Sequence, residues 1–294
     1  MVVQQRRCGG GALAVLALTA AGVMTMGSGC SGAGGDPGDG AGERIARAGP
    51  TGTPAAVVRQ AADALAAAGS AETRTSMETA AGGTRVTIRG EGTYDFRRQL
   101  GHIKVVLPKD AAGAEEHRPI TELLAPGALY MKNRGAGVPD DKWVRIDTTA
   151  LEDGNLVTGG VTDPAAAAEL LRGADKVTYI GRTELAGVAV RHYRGTADLG
   201  QAAREASPSA RGALAAAAKG FSTDAVPFDA YLDDDGLLRK VRHRFTFATE
   251  GPAAAVVSTM LLYGFGTRVS VELPPEADIY TGRVQQSGSG PETP

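Results

Sequence analysis

The sequence predicts a mainly β protein with helices (α+β), in which an antiparallel sheet of about ten strands curls around a few short helices. Three observations carry this expectation. Apolar residues between Thr84 and Leu273 recur largely at every second position, the runs they form are joined by hairpin-length turns, and the helical stretches between them are short and rich in alanine. Twisted sheets of this size do not stay flat but close or curl, and the inserted helices give a curled sheet something to wrap around.

The elements follow in order. Arg6 and Arg7 precede an apolar run from Ala12 to Val23. At about twelve residues it has the length of a signal-peptide core and is too short to span a bilayer comfortably. Residues 1–29 are therefore expected to direct export. The Arg6-Arg7 pair raises twin-arginine export, but Cys8-Gly9-Gly10 lacks the apolar residues that route expects. Met26-Gly27-Ser28-Gly29 before Cys30 resembles the lipobox of bacterial lipoproteins, with Gly27 where leucine is usual. That resemblance implies an acylated Cys30 as the mature N-terminus. An ordinary secretory signal with an incidental cysteine is the other reading. The chain has two cysteines, Cys8 and Cys30, so the body holds no disulfide and no cysteine-based metal site. Residues 30–53 read as the lipidated end and a glycine-rich tether, with a reach of roughly 24–29 Å for a flexible coil.

The body spans residues 54–281 as one domain, and residues 282–294 are expected to be a disordered tail. Thr53 can cap a first helix with Pro54 in its opening turn; Val57, Val58, Ala61, Leu65 and Ala68 share a face, and Gly69 stops it. Strands are then expected over Thr84–Phe96 and through Ile103, Val105 and Leu107. Further strands are expected at Ala128–Asn133, Lys142–Asp147, Lys176–Glu184, Val188–Thr196, Val226–Leu232, Leu237–Thr249, Ala254–Phe265 and Thr267–Leu273. Leu185-Ala186-Gly187 and Asp233-Asp234-Asp235-Gly236 are hairpin turns. Asp163-Pro164 opens a helix over Ala165–Arg172 that Gly173 closes. Asp198 with Gln201 opens another, broken at Ser207-Pro208 and resuming to Lys219. Helices built so largely of alanine cannot fill a wide space by side-chain volume. Either they collapse onto the sheet, or an apolar cavity remains.

An ordered set of segments resembles the LppX/LprG-type lipoproteins of mycobacteria and their relatives. These are Leu129-Tyr130-Met131-Lys132, Lys142-Trp143-Val144-Arg145-Ile146, the hairpin from Gly181 to Tyr193, the segment from Val226 to Leu237, and Tyr263-Gly264-Phe265-Gly266 followed by Val271-Glu272-Leu273-Pro274-Pro275. The resemblance runs from about Pro54 to Tyr280, and Lys109–Arg118 has no counterpart in it. It implies a LolA/LolB-like fold: a curled antiparallel sheet forming an unclosed β-barrel with helices on its concave face. It also implies a function, the binding and transfer of acylated lipids in a hydrophobic cavity. The expected partners are an acylated lipid or glycolipid cargo and the outer face of the cytoplasmic membrane, reached through the lipid on Cys30. Ligand-pocket candidates are Val86, Ile88, Ile103, Val105, Leu129, Leu170, Leu171, Leu214 and Phe221, each of which taken singly reads as plain core before it reads as a ligand contact. The chain is expected to be a monomer, and the competing reading is a non-enzymatic envelope protein with a filled interior that docks a protein partner through loops such as Lys109–Arg118.

Catalytic and nucleic-acid classes find no support. A net charge of −2 is not the basic footprint of a nucleic-acid binder. His102, His117, His192 and His243 include no helical metal pair, and no nucleophile-elbow, phosphate-loop or dinucleotide motif occurs. The contiguous Asp233–Asp235 suits a turn better than calcium, whose loops alternate their ligands. No enzyme activity, cofactor or metal is expected.

Overall fold

The computed structural model describes residues 52–81, 84–108, 118–135, 137–157, 162–247 and 254–282. The signal segment, Cys30, the tether, most of Lys109–Arg118 and the tail beyond residue 282 lie outside the described residues.

Two short helices, α1 (Pro54–Arg59) and α2 (Ala61–Ala68), lead into β1 (Ser70–Ala81), β2 (Thr84–Asp95), β3 (Leu100–Val106), β4 (Ile120–Ala125), β5 (Ala128–Lys132) and β6 (Trp143–Asp147). After α3 (Pro164–Leu170) come β7 (Ala174–Leu185) and β8 (Val188–Asp198). Then follow α4 (Leu199–Glu205), α5 (Pro208–Gly220), β9 (Ala225–Asp233), β10 (Leu238–Phe247) and β11 (Ala254–Tyr263). The strands form one antiparallel sheet in the order β6-β5-β4-β3-β2-β1-β11-β10-β9-β8-β7. The first and last strands pair at its centre, while β6 and β7 are its two edges. The sheet is therefore an unclosed barrel, as the resemblance implies, and the chain between its edges carries α3.

Register assigns the faces. One rung runs Leu262–Thr73–Gly92–Ile103–Glu122–Met131–Val144 and the next Ala71–Tyr94–Gly101–Leu124–Leu129–Ile146. Their side chains are almost all buried, while the alternate positions Glu72, Arg74, Glu91 and Lys104 face outward. The inner face meets Val57, Val58 and Leu65 of α1 and α2, Leu170 of α3 with Leu171 just beyond it, Leu199 of α4 and Leu214 of α5 in a single apolar core.

The helix starts match their sequence signals. The Thr53 hydroxyl accepts from the Ala56 N–H at 3.3 Å, Asp163 Oδ1 from Ala165 N–H at 2.7 Å, and Asp198 Oδ1 from Gln201 N–H at 2.6 Å. Three expectations need correction. The first helix is two, with Gln60 between them. The sheet has eleven strands because β1 and β4 were not foreseen. Thr267–Leu273 forms no strand, because no neighbour offers it a ladder. Among the described residues no helix is long and apolar enough to cross a membrane.

Candidate functional site

Ile103, Val105, Leu129, Leu170, Leu171, Leu214 and Phe221 all lie within the core between sheet and helices. Ile88 is half-buried against it, and Val86 is 40% exposed near the far end of β2. Backbones come into close approach where α5 meets the 152–154 segment and where the turn after α3 meets the start of α4. A methyl group on Gly154 would overlap the Ala213 carbonyl, one on Gly173 the Asp198 carbonyl and one on Gly220 the Glu152 carbonyl. Glycine at these crossings lets the chains close up. Of the two outcomes open to alanine-rich helices, collapse is the one adopted. A cavity of about 40 Å³, bordered by Tyr94, Asn155, Asp163 and Ala210, remains under α3 and α5. A larger groove of about 530 Å³ lies along the outward face of β11, β1, β2 and β3, where Arg74, Arg89, Lys104, Val106 and Leu261 line it.

Two clamps hold the helical layer. Arg172 bridges Asp63 of α2 and Glu169 of α3, each at 2.7 Å, and Glu169 also accepts from the Ser207 N–H at the α4–α5 break. The Tyr94 phenol on the sheet donates to Asp163, the cap of α3. Burial raises the carboxyl of Asp163 above its usual range, against the N–H groups of Ala165 and Ala166 that favour its charged form.

The interior also holds polar atoms that nothing satisfies. Both Glu122 carboxyl oxygens, the hydroxyls of Thr73 and Thr75, Asn155 Oδ1 and His243 Nε2 are buried without a hydrogen-bond partner. Burial pushes Glu122 up to about 8, with Arg134 opposing the rise and Asp163 adding to it. Burial alone drives His243 down to about 3, so it is a neutral ring beside Phe228 and Phe245. Sequence reasoning passed over Glu122 because a lone glutamate in a short apolar run looks like an outward-facing position. Only the register with Ile103 and Met131 turns it inward.

The remaining polar clusters are saturated. Asp229 on the outward face accepts from Arg244 at 2.6 Å, His192 at 2.7 Å and Arg194 at 2.8 Å, and His192 stacks on Tyr231 at 4.3 Å. Asp233 Oδ1 accepts from the N–H groups of Asp235 and Leu237, closing the expected turn at Gly236. Among the described residues no group of three or more His, Cys, Asp and Glu side chains is placed to hold a metal ion.

No family model and no curated protein matches the chain. Among solved structures it is similar to the Mycobacterium tuberculosis lipoprotein LppX, at 11% identity and a TM-score of 0.44 over 74% of this chain and 98% of that one. It is also similar to LprF from Mycobacterium bovis, at 13% identity and 0.39 over 77% and 99%. A LolA superfamily protein from Nitrosomonas europaea aligns at 13% identity and 0.33 over 78% and 99%.

Proposed function

We propose that this chain is an exported lipoprotein, held at the outer face of the cytoplasmic membrane by a lipid on Cys30, that takes up an acyl chain of a lipid or glycolipid between its concave sheet face and its helices. The observation that carries the proposal is the nature of that interface: an apolar sheet surface covered by five separate helices of at most 13 residues. Helices this short have little stability of their own. Ala167, Ala168, Ala202 and Ala217 give them small contacts to lose when they part from the sheet. An acyl chain of sixteen carbons costs on the order of 12 kcal/mol to expose to water. If the helices shift, that chain replaces helix–sheet contact with chain–protein contact, so the interior stays apolar throughout. No bond is made or broken, and the protein acts as a carrier.

The filled interior favours a second reading, an envelope protein that docks a protein partner on its exposed surface. Mass spectrometry of organic extracts from the processed protein, purified from the envelope, separates the two. The carrier predicts acyl lipid bound near one per chain, or taken up after delipidation. A chain that neither carries nor acquires lipid, and that crosslinks reproducibly to one protein, supports the second reading. Cys30→Ala is expected to release the protein from membranes; unchanged membrane association would remove the anchor from the account.

A further inference from the structure

Glu122 sits inside the concave face with Ile103 and Met131 beside it on the rung and Ile120 and Leu124 along β4 on the same side. Its exposure is 0%, and both carboxyl oxygens are unpartnered. A leucine would satisfy every one of these neighbours, whereas a partnerless buried carboxyl detracts from folding. Two more unpartnered groups share this face. Thr73 stands on the same rung, three strand spacings or roughly 14 Å away along the sheet, and Thr75 on the rung beyond. Between them and β3 the inward positions of β2 are Gly90 and Gly92, which carry no side chain. The concave face thus presents isolated hydrogen-bonding groups in apolar surroundings, the pattern of a ligand site with a few convergent polar contacts.

We propose that Glu122 is a polar anchor that selects lipids whose chains meet at a neutral hydroxyl or ester carbonyl over lipids with an anionic head. The inference rests on the lipid-uptake reading above. At neutral pH the Glu122 carboxyl holds its proton, because burial pushes it up to about 8. Its O–H can donate to an ester carbonyl, and its carbonyl can accept from a hydroxyl. A phosphate placed there would bring a second charge into a dry site that already feels Asp163, and Arg134 is the cation set against it. Thr73 and Thr75 supply neutral hydroxyls and add no charge.

The test uses the processed, delipidated protein with dioleoylglycerol, dioleoyl phosphatidate and hexadecane as probes, against Glu122→Leu and Glu122→Gln. Wild type is expected to bind the diacylglycerol about tenfold or more tighter than the phosphatidate. Glu122→Leu should lose about tenfold for the diacylglycerol, the worth of roughly one hydrogen bond, while hexadecane binding holds and thermal unfolding moves to higher temperature. Glu122→Gln, which keeps a donor and an acceptor, should recover most of that loss. Equal diacylglycerol binding by wild type and Glu122→Leu overturns the anchor, as does a preference for phosphatidate. Failure of wild type to bind any of the three probes overturns the lipid reading itself and the anchor with it.

Discussion

Glu122 and His243 place opposite penalties on the folded state, and their pH ranges overlap. Glu122 has a reference value of 4.5 and is pushed up to about 8, while His243 falls from 6.5 to about 3. Between those limits the folded chain keeps the Glu122 proton that the unfolded chain has released, so stability falls as pH rises from 4.5 to about 8. For His243 the unfolded chain takes up a proton that the folded chain refuses, so stability falls as pH drops from 6.5 to about 3. Each slope is about 1.4 kcal/mol per pH unit. From 4.5 to 6.5 they cancel and stability is level. From 6.5 to 8 Glu122 acts without that opposition, and about 2 kcal/mol is lost. Below 4.5 the His243 loss continues. Asp229 joins it in the acid range: its carboxyl, buried yet held at about 2 by Arg244, His192 and Arg194, gives up its ion pairs on protonation. Urea midpoints followed from pH 4 to 8.5 by the fluorescence of Trp143, the single tryptophan, read this profile. Glu122→Gln should flatten the limb above pH 6.5 and should leave the acid limb alone. A wild type whose stability is constant or rises from pH 6.5 to 8, or a Glu122→Gln variant that falls in parallel with it, would refute the reasoning.

Two substitutions probe the packing. Arg172→Leu leaves the buried Glu169 carboxylate without its guanidinium and unties α2 from α3. A loss of about 3 kcal/mol is expected, together with faster lipid exchange in a stopped-flow assay; slower or unchanged exchange would mean that this clamp does not gate the interior. Gly92→Ala drives a methyl group into the His102 carbonyl of the neighbouring strand. About 2 kcal/mol or more should be lost in chemical denaturation, and a variant as stable as wild type would show that the β2–β3 pairing yields freely.

Fold class was legible because most strands alternate strongly, as with Ile103 and Val105 against His102 and Lys104. β1 was hidden although it is central. Of its inward residues Ala71, Thr73, Thr75, Met77 and Thr79 only Met77 is large and apolar, so they do not stand out as an apolar series against the outward Glu72, Arg74, Ser76 and Glu78. β4 was hidden by Glu122, which breaks the inward apolar series between Ile120 and Leu124. The feature that obscured the strand is the one that gives its interior a polar group. Val269, Val271 and Leu273 show the opposite error, an alternation with no adjacent strand to pair with. The packed interior could not be read from alanine content alone. It depends on Gly154, Gly173 and Gly220 falling where backbones cross, a long-range coincidence that no local pattern encodes.

The most direct test of interior lipid uptake is photolabelling with a diazirine-bearing diacylglycerol, followed by peptide mapping of the crosslinks. Uptake between sheet and helices predicts label on the inward residues Ile103, Val105 and Leu129 and on Leu214 of α5. Label confined to the outward groove at Val106 and Leu261, with the inward residues untouched, would contradict it.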